Sequence, residues 1–197
     1  MTCLCLTRNR PTWLANAIRS FQSQTYRSRE LIILADGQDV RHLVPDDPCI
    51  RLIHLAGSPE IGPKRNYGCE RAAGKIVAHW DDDDYSAPGR LADQIQRLLE
   101  SGKAVTGFHS MRFTDGARWW KYEGTRNYAL GTSLCYRRAW WLAHPFPVVQ
   151  VGEDNHFVAT AHAAGELATA DAGNLMYATN HAGNTSPRKL GDNWKPL

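Results

Sequence analysis

The sequence has no C-x-x-C pair, no apolar run near the roughly 18 residues of a membrane span, and no low-complexity segment or internal repeat. The missing C-x-x-C argues against a zinc or redox motif of that kind. The five cysteines (Cys3, Cys5, Cys49, Cys69 and Cys135) are odd in number and without paired spacing, so reduced thiols are expected. Strong charge of one sign is also missing. Lys and Arg number 23 against 20 Asp and Glu, a net +3 with no basic run longer than two residues, which by itself makes no case for nucleic acid. With no signal-like segment and no membrane span, the expected location is the cytoplasm, with peripheral contact to a membrane surface left open.

What is present fits one globular domain over residues 1–197. Apolar residues make up 43% and charged residues 22%, and a chain of this length buries roughly 70% of its unfolded surface without staples. The first hundred residues alternate between two patterns. "TCLCLT", "ELIILADG", "IRLIHLA" and "KIVAHW" are short apolar runs that read as strands. Between them, "RPTWLANAIRSFQSQ", "GPKRNYGCERAAG" and "PGRLADQIQRLLESG" read as helices opened near Pro11, Pro63 and Pro88, the last two closed at Gly74 and Gly102. Cys3 and Cys5 alternate and should share one strand face.

Continuous apolar strands separated by helices predict a mostly parallel central sheet with helices on both faces. Ligands in such sheets bind beyond the carboxyl ends of the strands, where Arg8, Asp36 and Asp81–Asp84 all fall. After residue 104 the rhythm changes. "AVTGFHS", "GTSLCYR" and "NLMYATN" read as strands, "EDNHFVATAHAAG" as a helix, and the segment after Pro187 as a loosely held tail. This divides the domain into a nucleotide-like front half (1–103) and a variable back half (104–197).

"WDDDDYSAP" sets four carboxylates in a row, and their repulsion has to be relieved by water, by basic residues or by a cation. In extended backbone Asp81 and Asp83 would share one side and Asp82 and Asp84 the other. A D-x-D pair at a strand end is a hard-oxygen site suited to Mg²⁺ or Mn²⁺ bridging to phosphate.

"TRNRPTWLANAIRSFQSQTY", "ELIILADG", "GPKRNYGCERAAGKIVAHWDDDDYSAPGRL" and "GEDNHF", in that order, resemble the family-2 glycosyltransferases with the GT-A fold. The resemblance implies a small α/β domain that moves a sugar with inversion from a nucleotide-diphosphate donor, UDP-sugar first, to an acceptor hydroxyl. It places Thr7, Arg8 and Asp36 at the nucleotide, with Asp36 accepting from the base. Only one acidic residue stands there, in Ala35-Asp36, where the family usually has two.

The same resemblance puts Lys64 and Arg65, at a helix start, on the diphosphate, where dipole and guanidinium both favour an anion. Asp83 becomes the more direct metal ligand, Asp81 the partner nearer the sugar or ribose, and Asp82 the variable member. Asp84 supports the loop. Asp154 is the implied general base, with Glu153 beside it as an acceptor contact, and His181 in "NHAGNTS" a third metal ligand. Trp119 and Trp120 fall in the acceptor region, where a glycan, a lipid-linked sugar, a protein side chain or a modified nucleic-acid base could bind, although nothing indicates nucleic acid.

Two other readings compete with this one. A nucleotidyltransferase of similar fold would open with a glycine-rich loop, and "TRNRPT" contains no glycine. A non-catalytic nucleotide- or sugar-binding module has no need for Asp81, Asp83 and Asp154 together.

Overall fold

The computed structural model describes residues 1–185 and 191–197. Strand β1 (Thr2–Thr7) leads into helix α1 (Pro11–Gln22), which Pro11 opens at its first position, where no backbone N–H is needed. Strands β2 (Glu30–Ala35) and β3 (Ile50–His54) follow, then α2 (Ile61–Arg71) and β4 (Ile76–His79). A two-residue strand, β5 (Tyr85–Ser86), precedes α3 (Arg90–Ser101), which ends at Gly102 with φ +68°, the left-handed conformation that suits glycine.

The back half adds β6 (Val105–Thr114), β7 (Trp119–Glu123), a 3₁₀ turn at Gly131–Ser133, β8 (Cys135–Arg137) and α4 (Arg138–Ala143). It closes with α5 (Glu153–Ala163), β9 (Leu167–Asp171), β10 (Met176–Thr179) and β11 (Trp194–Pro196).

One sheet joins these strands in the order β11-β7-β6-β8-β4-β1-β2-β3, with β9 and β10 also paired to β6 and β5 to β10. The pairs β4–β1, β1–β2 and β2–β3 are parallel, as the apolar runs predict. Antiparallel pairing is confined to the back half and its junctions with β4 and β5. That half was legible only in part: β7, β9 and α4 have no counterpart in the sequence reading. "GTSLCYR" is a 3₁₀ turn followed by a three-residue strand.

Helices cover both faces. Cys3, Cys5, Leu31 and Ile33 point to the side of α1 and α3, against Leu14, Ile18, Phe21, Leu91 and Leu98. Leu4, Ile32 and Leu34 point to the other side, against Cys69 of α2, Trp141 of α4 and Phe157 and Val158 of α5. The two cysteines share one face as expected, and burial pushes the Cys3 thiol up to about 12. At Gly68 the helix comes so close to the sheet that a Cβ would lie 2.9 Å from Leu34 Cδ1.

The loosely held tail is corrected in part. Arg188–Leu190 lie outside the described residues, but Trp194–Pro196 pairs with β7, and the Trp194 ring lies 4.7 Å from that of Phe113.

Candidate active site

Strands β1, β2 and β4 end side by side, and the segments after them meet the start of α2, the Gly131 turn and the start of α5. Together these border a cavity of about 740 Å³. Thr7, Arg8, Lys64, Arg65, Asp81–Asp84, Glu153 and Asp154 all line it. Thr7 and Asp154, 147 positions apart in sequence, thus share one site.

The carboxylate run is a turn, with the Asp84 amide donating to the Asp81 carbonyl (3.5 Å), so the strand-like alternation expected of it does not apply. Asp82, the supposed variable member, is the most deeply buried of the first three. It accepts from the Thr7 hydroxyl (2.6 Å) and from Arg10 Nη1 (3.1 Å). Asp83 Oδ2 receives three donors: Arg10 Nη1 (2.9 Å), His181 Nε2 (3.0 Å) and Asn184 Nδ2 (3.1 Å). Asp84 accepts from the Thr132 hydroxyl and from the Thr179 amide (3.0 Å).

Burial, followed by the neighbouring Asp83 charge, pushes the Asp82 carboxyl up to about 7. Burial first and the adjacent aspartates second raise Asp83, and raise Asp84 well above the carboxylate range. Here the repulsion is therefore relieved by Arg10 and by burial that favours the protonated forms.

On the opposite wall, Arg65 donates from Nε to Glu153 Oε1 (3.0 Å) and brings Nη2 to 3.7 Å from Asp81 Oδ1. Burial opposes its charge, yet Asp81 and Glu153 outweigh that and hold its pKa above the ordinary value. Arg65 Nη1 is buried with no hydrogen-bond partner among the described residues, a group that needs explaining. Glu153 is thus the counter-ion of Arg65, which differs from the acceptor contact expected of it.

Asp36 is 1% exposed and stands behind the cavity wall. Lys64 Nζ (2.5 Å) and the Ser58 hydroxyl (2.7 Å) donate to its two oxygens, and Arg8 Nε lies 3.7 Å away. Its partners Arg8, Ser58 and Lys64 are the residues that face the cavity.

Asp154 sits in the first turn of α5 against Gly131. A Cβ at Gly131 would lie only 2.5 Å from Asp154 Cγ and closer still to Oδ2, so this approach requires glycine. His79 fixes the turn by bonding the Gly131 carbonyl through Nδ1 (2.6 Å). Burial holds the His79 imidazole well below its ordinary pKa, so it is neutral.

Beneath the turn, the fully buried Arg90 donates to Ser86 Oγ (2.8 Å), Gln94 Oε1 (3.1 Å) and the carbonyls of His79 (2.9 Å) and Thr132 (3.2 Å). One guanidinium ties the strand before the carboxylates to the turn against which the base candidate packs.

Neither Trp119 nor Trp120 lines the cavity. Trp119 is 38% exposed on β7, and Trp120 is half-buried with the Arg118 guanidinium 5.2 Å from its ring centre. His181 stacks on Trp13 with ring centres 5.0 Å apart. The Gly183 amide donates to His181 Nδ1 (3.0 Å), and this bonding pattern assigns the ring proton to Nε2.

Among the described residues no group of three His, Cys, Asp or Glu side chains is arranged to hold a metal. Asp83 fits a hard cation whose remaining ligands are phosphate and water oxygens. His181, with a proton on Nε2, presents that face as a donor and does not fit as the third ligand in this arrangement.

Residues 3–155 match the model for Glycosyl transferase family 2. The chain belongs to that family. Among curated relatives, the family 2 chain is 32% identical over 109 residues to GalNAc(5)-diNAcBac-PP-undecaprenol beta-1,3-glucosyltransferase of Campylobacter jejuni, covering 51% of this chain and 35% of that protein. Among solved structures, its fold matches S. aureus TarS in complex with UDP-GlcNAc at a TM-score of 0.76 and 19% identity, over 96% of this chain and 61% of that one. It also matches the mannosyltransferase PcManGT from Pyrobaculum calidifontis in complex with GDP-Man and Mn²⁺, at 0.71 and 16%, over 91% and 56%. The fold is therefore that of the GT-A glycosyltransferases. The family 2 chain spans about a third of the length of the Campylobacter relative.

Contributors to the site missed in the sequence include Arg10, Ser58, His79, Arg90, Gly131, Thr132, Thr179 and Asn184. Arg10 had a signal, since it is a basic residue directly ahead of a helix at the carboxyl end of β1.

Proposed function

We propose that this family 2 chain is an inverting glycosyltransferase that takes a sugar from a nucleotide-diphosphate donor, with UDP-sugar favoured, to an acceptor hydroxyl. The observation that carries this reading is the meeting of Arg65, Asp81–Asp84 and Asp154 around one cavity, with Arg65 Nη2 3.7 Å from Asp81 and Nη1 left without a hydrogen-bond partner among the described residues. A diphosphate is the kind of anion that would pair it. The nucleotide end is formed by Thr7, Arg8, Ser58 and Lys64, with Asp36 orienting Lys64 and Ser58 from behind. The named donor complexes of the structural neighbours, UDP-GlcNAc and GDP-Man, support a nucleotide sugar.

In the proposed reaction the acceptor oxygen attacks the anomeric carbon, Asp154 takes its proton, and the bond to the diphosphate breaks on the far side. Arg65 and Lys64 receive the growing charge on the leaving group. The Gly131 turn holds Asp154 in place and Glu153 holds Arg65. Asp83 would hold Mn²⁺ or Mg²⁺, which when bound stabilises the leaving diphosphate as a Lewis acid.

Among the described residues no helix is long and apolar enough to cross a membrane. The undecaprenol-linked name of the Campylobacter relative supports a lipid-linked sugar as one acceptor class, approached from a membrane surface. Calorimetry with UDP, with and without Mn²⁺, tests the donor reading. Micromolar binding that Mn²⁺ strengthens is expected; UDP binding with no turnover of any UDP-, dTDP- or GDP-sugar would favour a binding module instead.

A further inference from the structure

Outside the cavity, the largest unexplained feature is a row of aromatic rings on an open face of the sheet. Tyr177 of β10 stacks on Tyr85 of β5 with ring centres 4.8 Å apart and an interplanar angle of 19°. On its other side the Trp119 ring of β7 stands 5.0 Å away at 74°. The register explains the meeting, because Tyr177 pairs with Tyr85 on one side and with Arg112 of β6 on the other. Rings that only strengthen a sheet through cross-strand contact gain most when buried. Tyr85 and Trp119 instead stay 39% and 38% exposed.

The row is continuous with the cavity. Tyr177 and Thr179 lie two apart on β10 and so share a face. Thr179 lines the cavity and its amide is bonded to Asp84.

The charge on this face is also unbalanced. Lys121 is paired with Asp171 (2.7 Å) and Lys195 with Glu123, whereas Arg112, among the described residues, bonds only the neutral Asn174 (2.6 Å). Arg112 is thus a guanidinium without a counter-ion next to the central ring of the row. Flat ring faces bind the apolar faces of sugars, and a free guanidinium recognises carboxylate or phosphate.

We infer that Tyr85, Tyr177 and Trp119 form an acceptor-side binding platform for an acidic oligosaccharide, with Arg112 pairing the acidic group of a sugar stacked beside it. This rests on the glycosyltransferase reading for its function but not for its physical test. The acidic group is a uronate carboxylate or a sugar phosphate. The platform holds acceptor residues beyond the one that reacts at Asp154.

The test uses the whole chain. An array of neutral, uronate-bearing and phosphate-bearing oligosaccharides identifies the best binder, and the two acidic classes separate the two sources of charge. That binder is then titrated against ¹⁵N-tryptophan-labelled protein, the Trp119 indole signal being assigned with Trp119→Phe.

The expected result is a shift of that signal, with affinity lowered about tenfold by Trp119→Ala or Tyr177→Ala. Trp119→Phe keeps most of the affinity, and Arg112→Gln removes the preference for acidic over neutral sugars. UDP affinity, measured on the same variants, stays at the wild-type value. The inference is overturned if no arrayed oligosaccharide moves the Trp119 signal, or if both alanine variants bind as the wild type does. A chain that binds the oligosaccharide at Trp119 but never binds UDP would instead remove the donor reading and leave the platform standing.

Discussion

Arg10 Nη1 lies 2.9 Å from Asp83 Oδ2 and 3.1 Å from Asp82 Oδ1, so a side-chain cation neutralises the carboxylate run. A metal held by Asp83, as proposed, would have to compete with Arg10. Arg10→Gln should raise the affinity for Mn²⁺ measured by calorimetry without nucleotide, by about tenfold, equivalent to about 1.4 kcal/mol of competition removed. Unchanged Mn²⁺ affinity would mean that Arg10 and the metal do not share the carboxylate.

Gly131 is the contact that lets Asp154 face the cavity. Gly131→Ala puts a methyl group into the Asp154 carboxylate and displaces the proposed base. Turnover should fall by about 10²-fold, the cost of a misplacement near 1 Å, while UDP affinity stays at the wild-type value. A variant with normal kcat would show that the base tolerates the shift or lies elsewhere.

Arg90 is fully buried and donates to four groups, one each in β4, β5, α3 and the Gly131 turn. Arg90→Ala strands the carbonyls of His79 and Thr132 and leaves a cavity. Loss of about 3–5 kcal/mol is expected, a Tm lower by roughly 10 °C, read by calorimetric unfolding. A drop of a degree or two would mean that water replaces the guanidinium without penalty.

His79 gives stability a pH dependence of known sign. Its folded pKa is held well below the ordinary value, so below about pH 6.5 the unfolded chain binds a proton that the folded chain refuses. Its contribution is present above that pH and is lost as pH falls below it. Asp82, raised to about 7, acts oppositely, because between that value and the unfolded carboxylate range the folded chain holds the extra proton. Asp83, Asp84 and Glu153, also raised, act in the same direction as Asp82, and His79→Gln keeps all four carboxyls, so the difference between wild type and variant isolates the histidine. Wild-type stability should fall relative to the variant, by up to about 1.4 kcal/mol per pH unit, between pH 6.5 and 5. Parallel curves would place a proton on the folded imidazole.

The front half was legible because its physics is local. Continuous apolar strands, a proline opening α1 and a glycine closing α3 each leave a mark on a few adjacent residues. The back half is held by pairings across long gaps, such as β10 with β6 and β11 with β7, whose short strands carry little apolar pattern of their own. At the site, the spacing of Asp81–Asp84 marked where chemistry would lie but did not show which neighbours each member meets. Asp82 seemed replaceable because the run alone cannot show Thr7 and Arg10 folding back on it. Glu153 read as an acceptor contact because its partner Arg65 is 88 positions away. His181 suited a metal by residue type, and only the Gly183 amide on Nδ1 decides which nitrogen holds the proton.

The central claim is that Asp154 is the base of a sugar transfer from a nucleotide-diphosphate donor. The most direct measurement is donor consumption from a panel of UDP-, dTDP- and GDP-sugars with Mn²⁺, alongside UDP affinity, for wild type and Asp154→Asn. The account predicts that the wild type consumes at least one donor and that Asp154→Asn binds UDP equally well with turnover lowered by roughly 10²–10⁴-fold. Near-normal turnover in Asp154→Asn, or a wild type that consumes no nucleotide sugar, would contradict it.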